Sequence, residues 1–145
     1  RYPFPLDYDH DDFPALLQRL DNLARGIDLP EGFVPSSTFW LVHGDELVGV
    51  SNLRHSLNDR IREIGGHIGL GIRPSFRGRG LGTLLLGLTV AEARQRGIRP
   101  IHIHCHKRNT ASARMIVGNG GVLESEVLDA GSMEVVQRYI LEGAA

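Results

Sequence analysis

Between the alternating run His67-Ile68-Gly69-Leu70-Gly71-Ile72 and the stripe Leu81, Leu84, Leu85, Leu88 and Ala91 stands Arg77-Gly78-Arg79-Gly80-Leu81-Gly82. A period of two before it and a helical period after it fix a strand, a tight glycine turn and a helix in that order. Three glycines let backbone N–H groups come close to an anion, and two guanidinium groups can neutralise it. The helix start adds its positive dipole end, worth roughly 0.3–1 kcal/mol per nearby negative charge. A pyrophosphate fits such a turn. The Gly-x-Gly-x-Gly spacing lacks both the third-glycine offset of dinucleotide folds and the Gly-Lys-Ser/Thr of phosphate loops.

The rest of the chain reads around this unit. Asp11-Asp12 caps an amphipathic helix carrying Phe13, Leu16, Leu17, Leu20 and Leu23. Residues 26–37 read as a loop, and 38–42 with 47–53 as a β-hairpin. Residues 54–60 read as another loop, after which Ile61-Arg62-Glu63-Ile64 has the character of a strand start, interrupted by Gly65-Gly66. Arg73-Pro74 stops strand 67–72, and Arg96-Gly97 closes the helix. Pro100 to Cys105 alternates again, so strand, helix and strand predict a right-handed β-α-β unit with parallel strands. Asn109 or Thr110 caps a short helix ended by Gly118-Asn119-Gly120-Gly121, and 122–127 and 134–141 read as two final strands around Asp129-Ala130-Gly131.

With 145 residues, one domain over 1–145 is expected, and Arg1 in place of a methionine leaves room for a short preceding piece. The 16 basic and 17 acidic residues give a net charge of -1, which offers no overall positive field for nucleic acid or a membrane surface. No apolar run is long enough for a membrane span, and no leader peptide is visible. Cys105 is the one cysteine, which suits a reducing compartment, and the cytoplasm is the expected location.

The glycine turn resembles the signature of the GNAT N-acetyltransferase superfamily, Gln/Arg-x-x-Gly-x-Gly/Ala, matched by Arg77, Gly80 and Gly82. Ile72-Arg73-Pro74 resembles the family's strand end, and Asn109-x-x-Ser112 its next helix start. The likeness covers about residues 38 to 141. It is nearest to uncharacterised predicted acetyltransferases through Leu53-Arg54-His55, Gly65-Gly66-His67-Ile68-Gly69 and Asn119-Gly120-Gly121. It implies an α/β (α+β) fold with a mixed, mostly antiparallel sheet flanked by helices and a β-α-β acetyl-CoA-binding core. Acetyl-CoA would serve as acetyl donor, held in a splay between strands 67–72 and 100–105. The resemblance puts the pyrophosphate on Arg77, Gly78, Arg79, Gly80, Leu81, Gly82 and Thr83. It pairs pantetheine with Leu70 to Ile72 like a strand, and it brings Asn109 and Ser112 to the pantetheine arm. The partner would be a small-molecule or peptide amine, with a homodimer allowed.

Acetyl transfer to an amine calls for a route for the amine proton and for protonation of the leaving thiolate. Family members often carry a tyrosine four residues after the Ala/Ser position; here that residue is Ile116, and Tyr139 is a distant substitute. His67 is the expected base, since an imidazole titrates near neutrality, with Glu63 and His55 as weaker choices. Two other readings stand beside this one. A non-catalytic acyl-CoA-binding module would share the fold, and His102, His104 and His106, two residues apart on one strand face, could serve a metal-dependent enzyme. Cys105 is expected on the opposite face of that strand.

Overall fold

The computed structural model describes residues 11–142. Asp12 starts α1 (Phe13–Arg25) by accepting a hydrogen bond from the Ala15 N–H at 3.1 Å, which satisfies one of the orphan donors of the first turn. The helix ends at Gly26 and lays Leu23 on the sheet, while Phe13 meets Trp40 with ring centroids 6.1 Å apart. Strands β1 (Ser36–His43) and β2 (Glu46–Arg54) form the expected hairpin, with one irregularity at Leu41/Val42.

β2 lies at the centre of the sheet β1-β2-β3, with β3 at Ile68–Ile72. That position buries Val48 to Leu53 without a break, polar residues included. The buried polar side chains of β2, Ser51 and Asn52, each have a partner. Ser51 Oγ is 2.7 Å from Thr89 Oγ1, which itself donates to the Leu85 carbonyl, and Asn52 Nδ2 donates to Ser36 Oγ at 3.1 Å. After β3 come a 3₁₀ turn (Pro74–Phe76), the glycine turn and α2 (Leu81–Gln95). Next are β4 (Ile101–His106), α3 (Thr110–Gly118), β5 (Val122–Asp129) and β6 (Glu134–Leu141).

β4, β6 and β5 make a second antiparallel sheet in that order. The mostly antiparallel, helix-flanked architecture is thus present, divided into two sheets. Leu53 and Ile68 of the first meet Ile101, Ile103 and Leu141 of the second, with Leu86, Val90 and Ala93 of α2 packed between them. No helix among the described residues is long and apolar enough to cross a membrane.

Two expectations are corrected. Ile61–Gly65 is a single π-helical turn started by Asn58 Oδ1 accepting from the Ile61 N–H, and only Ile61 goes inward. Four residues are too few to separate a strand start from one helical turn with one anchored side chain. The expected parallel pair, β3 with β4, forms no ladder; among the described residues their link is a single antiparallel bridge between Gly66 and Ile103.

Core depth sets the cost of truncation. Leu53→Ala, at a side chain with 0% exposure, is expected to cost about 2–5 kcal/mol in urea unfolding, whereas Leu84→Ala, half-exposed on α2, is expected to cost less than about 1 kcal/mol. Equal losses at both sites would contradict the packing described.

Candidate active site

The site begins where the two sheets touch. Gly66 adopts φ +69°, and a Cβ there would lie 2.8 Å from the His102 carbonyl oxygen, so glycine permits the approach. His67 then exchanges two hydrogen bonds with the main chain of His102. Its N–H donates to the His102 carbonyl at 2.7 Å, and its ring Nδ1 accepts from the His102 N–H at 2.9 Å. On its other side the His67 carbonyl accepts from the Arg54 N–H at 2.7 Å. Past this join the strands separate.

The edge that β3 turns toward the gap follows from its pairing with β2. Arg54 N–H to His67 O and Arg73 N–H to Val48 O are rungs of one alternation, so Gly69 and Gly71 are bonded to Asn52 and Val50. The N–H and C=O groups of Ile68, Leu70 and Ile72 therefore face away from β2, toward the gap. The gap is a cleft of about 880 Å³ whose walls include Gly69 and Leu70 of β3, His104 and Cys105 of β4, and Asn109, Ser112 and Met115 around α3. A Cβ on Gly69 would meet nothing within 4 Å.

At the far end of β3 the glycine turn is built as its residues require. Gly78 and Gly80 have φ of +78° and +75°, and Gly80 is the residue before α2. Because the first turn of a helix has no internal partners for its N–H groups, those of Leu81, Gly82 and Thr83 are oriented outward along the axis. Arg77 Nε donates to the Ile72 carbonyl at 3.1 Å, and Arg79 stacks over Phe76 at 5.4 Å. Gly82 lets Met115 of α3 pack against the helix start, and Asn119 Nδ2 ties the two helices by donating to the Thr83 and Met115 carbonyls. Asn109 Oδ1 accepts from the Ser112 N–H at 3.1 Å, so the Asn-x-x-Ser spacing is that of an N-cap whose residues also line the cleft.

The cleft takes its walls from β3, β4 and α3, and the glycine turn leads from the end of β3 into α2. The family described as "Acetyltransferase (GNAT) family" matches residues 3–118 of this chain. The chain belongs to the GNAT acetyltransferase family. No curated protein sequence matches it. A GNAT-family acetyltransferase from Streptococcus pneumoniae superposes with a TM-score of 0.67 at 17% identity, over 96% of this chain and 79% of that one. YncA of Salmonella typhimurium, solved with its cofactor acetyl-CoA, gives 0.65 at 18% over 93% and 74%. A spermidine N-acetyltransferase chimera from Vibrio cholerae gives 0.66 at 16% over 92% and 76%. At such identities the likeness is one of fold.

The structure separates the expected site residues of this GNAT chain into three groups. Leu70, Asn109 and Ser112 share the cleft. Ile72 and the run Arg77 to Thr83 do not line it and lie where β3 ends and α2 begins. His67, expected as the base, is elsewhere: it is 5% exposed, does not line the cleft, and spends its Nδ1 on the His102 amide. Burial, then the neighbouring rings of His102 and His104 and the cations Arg54 and Arg62, lower its pKa to about 4. Such a ring is neutral near pH 7 and a weak proton acceptor.

Sequence reasoning passed over His104 as a cleft residue. Burial lowers its pKa to about 4 as well, and neither ring nitrogen forms a well-directed hydrogen bond, although the nearby Ile64 backbone favours the charged form. Its signal was the alternation of β4, read instead as a three-imidazole face. His102 and His104 do adjoin, with centroids 6.1 Å apart, but His106 Nδ1 is drawn 2.7 Å from Glu134 Oε2. Among the described residues no group of three such side chains is placed to hold a metal ion. Cys105 also lines the cleft, although alternation had put it on the other face, and burial raises its thiol pKa. Tyr139 donates to Gln137 Oε1 and lies outside the cleft lining, and Ile116 is 2% exposed.

The two depressed histidines have a pH signature. Each is neutral in the folded chain down to about pH 4 but protonates near 6.5 when unfolded. Stability is therefore full above 6.5 and falls as pH drops toward 4. At 1.36 kcal/mol per unit, each ring accounts for up to roughly 3 kcal/mol. Urea midpoints measured from pH 7 to 4 are expected to fall accordingly. His67→Asn, whose Oδ1 can stand where Nδ1 accepts, is expected to flatten that fall while keeping most of the pH 7 stability, and His67→Leu to lose both. A pH slope unchanged in His67→Asn would contradict the assignment.

Proposed function

We propose that this acetyltransferase moves an acetyl group from acetyl-CoA directly to the amine of a small molecule or peptide, within the single domain spanning 1–145. The carrying observation is the edge of β3 turned away from β2, which no strand among the described residues pairs and which brings Leu70 to the cleft. Acetyl-CoA supplies a thioester carbonyl open to attack by nitrogen.

The chain's own residues fit that donor in sequence along its length. The first-turn N–H groups of Leu81, Gly82 and Thr83 would receive the pyrophosphate, with Gly78 and Gly80 giving close backbone approach and Arg77 and Arg79 adding charge. Pantetheine amides would bond the outward N–H and C=O groups of Leu70 and the N–H of Ile72, whose carbonyl already accepts from Arg77 Nε, as an added strand. Asn109 and Ser112 would border the arm from α3. YncA, of the same fold, was solved with acetyl-CoA, which supports the donor. The cytoplasm suits the free thiol of Cys105.

As the nitrogen–carbon bond forms and the carbon–sulfur bond breaks, one proton must leave nitrogen and one must reach sulfur. With Ile116 at the usual tyrosine position and rings near pKa 4, we assign neither task to a strong side-chain acid or base. Water in the cleft would carry the proton.

Gly69→Leu tests the reading with little expected harm to the fold, because its side chain would enter open space. It is expected to weaken acetyl-CoA binding in titration calorimetry by about tenfold, the worth of one lost amide hydrogen bond in a blocked subsite, with a nearly unchanged urea midpoint. No heat with acetyl-CoA for the unaltered chain would overturn the proposal. Binding without thiol release over a broad amine panel would favour an acyl-CoA-binding module.

A further inference from the structure

The floor of the cleft is the core itself. Ile68 of β3, Leu86 of α2, Ile103 of β4 and Ile116 of α3 all line it, and all four belong to the buried apolar cluster that joins the two sheets, each at most 3% exposed. Leu70 and Met115, which pack against that cluster, line the cleft as well. Four elements thus each send one branched aliphatic side chain to the same surface. None of these four side chains can donate or accept a hydrogen bond.

The spacing along α3 shows how this arises. Asn109 caps the helix on the Ser112 N–H, and Ile116 follows Ser112 by four residues, so it stands one turn further along the same face. After Ser112 the lining that α3 supplies is Met115 and Ile116, and its polar character ends there. Met115 packs on the start of α2, where a Cβ on Gly82 would meet its Sδ, and an unbranched thioether adapts to what lies beside it. On β4, Cys105 lines the cleft with a thiol that burial keeps protonated, so it too acts as a small apolar group.

We propose, resting on the acyl-transfer reading above, that the donor site also takes short unbranched acyl groups longer than acetyl, namely propionyl and butyryl, from their coenzyme A thioesters, and discriminates against acyl groups that end in a carboxylate. Acetyl ends in a single methyl group, whereas the cleft has a volume of about 880 Å³ and a floor that is aliphatic across four elements. Each further methylene laid on such a floor leaves water. A terminal carboxylate there would shed its hydration and find no donor among Ile68, Leu86, Ile103 and Ile116. Because the same side chains fill the core, the floor is a fixed end, which suits short chains. The transfer balances as it does for acetyl: the nitrogen–carbon bond forms, the carbon–sulfur bond breaks, and one proton passes from nitrogen to sulfur.

The experiment titrates the full chain with acetyl-, propionyl-, butyryl- and malonyl-CoA in a calorimeter and follows thiol release from the same donors over the amine panel. Kd is expected to fall about threefold with each methylene from acetyl to butyryl, near the transfer value of a buried methylene. Malonyl-CoA, of nearly the same length as butyryl-CoA, is expected to bind at least about tenfold more weakly than it. Cys105→Leu, which places a larger side chain in the cleft, and Ile116→Tyr, which puts a phenol hydroxyl at its floor, are each expected to bring the butyryl-to-acetyl affinity ratio toward one. That ratio is read in whichever variant keeps a cooperative urea transition. A chain that binds acetyl-CoA as tightly as butyryl-CoA, takes malonyl-CoA as well as butyryl-CoA, or releases thiol from acetyl-CoA alone overturns this inference and leaves the reading beneath it standing. A chain-length gain that persists undiminished in a folded variant places the acyl group away from this floor and overturns it too. A chain that gives no heat with any of the thioesters takes down both the inference and the reading on which it rests.

Discussion

The paired hydrogen bonds between His67 and the main chain of His102 are the constraint on which the rest of the architecture turns. They join two sheets at the base of a wedge and use a side-chain nitrogen as one of the two acceptors. A ladder continues only while successive backbone groups face one another at strand spacing. Here the second acceptor is a ring, which holds the strands together without setting up a next rung. Beyond it Leu70, Cys105 and Met115 pack against the core, and among the described residues no strand lies beside the outward groups of β3. Had the ladder run on, the cleft would have been closed by backbone pairing.

Main-chain carbonyls just before β3 and at its end also position two arginines. Arg54 Nη1 donates to the Gly66 carbonyl at 2.9 Å, and Arg77 Nε to the Ile72 carbonyl. These bonds orient the guanidinium groups through carbonyl oxygens. Arg108 is different, being paired to Glu134, but it brings His106 into the same cluster. The cost falls on the imidazoles. His67 and His104 stay neutral because a buried ring near several guanidinium groups gains little by taking a proton.

What could be read in the sequence was local, and what could not was pairing. The turn Arg77 to Gly82, α2 and the cap Asn109 to Ser112 were legible, since glycine, periodicity and capping act within a few residues. The split into two sheets was not, because strand–helix–strand order says nothing of whether the strands close or diverge. His67 shows the limit most sharply. Its residue type allowed a base, and only the opposite strand reveals that its Nδ1 is committed to an amide. The Ile61–Gly65 turn escaped for a related reason, its start being set by Asn58 and its end by the approach of Gly66 to β4.

For the proposed transfer, these placements bear on how a site with Ile116 in the usual tyrosine position could still work. Attack of an uncharged amine on a thioester would develop an ammonium and a thiolate close together. Burial in the middle of the cleft opposes both kinds of charge: it keeps the Cys105 thiol protonated and the His104 ring neutral. The same desolvation would drive a proton from nitrogen to sulfur through water, since that one movement removes both charges. A site of this kind needs a cleft that admits the amine uncharged more than it needs a phenol or an imidazolium. A desolvated centre around His104 and Cys105 would provide that condition.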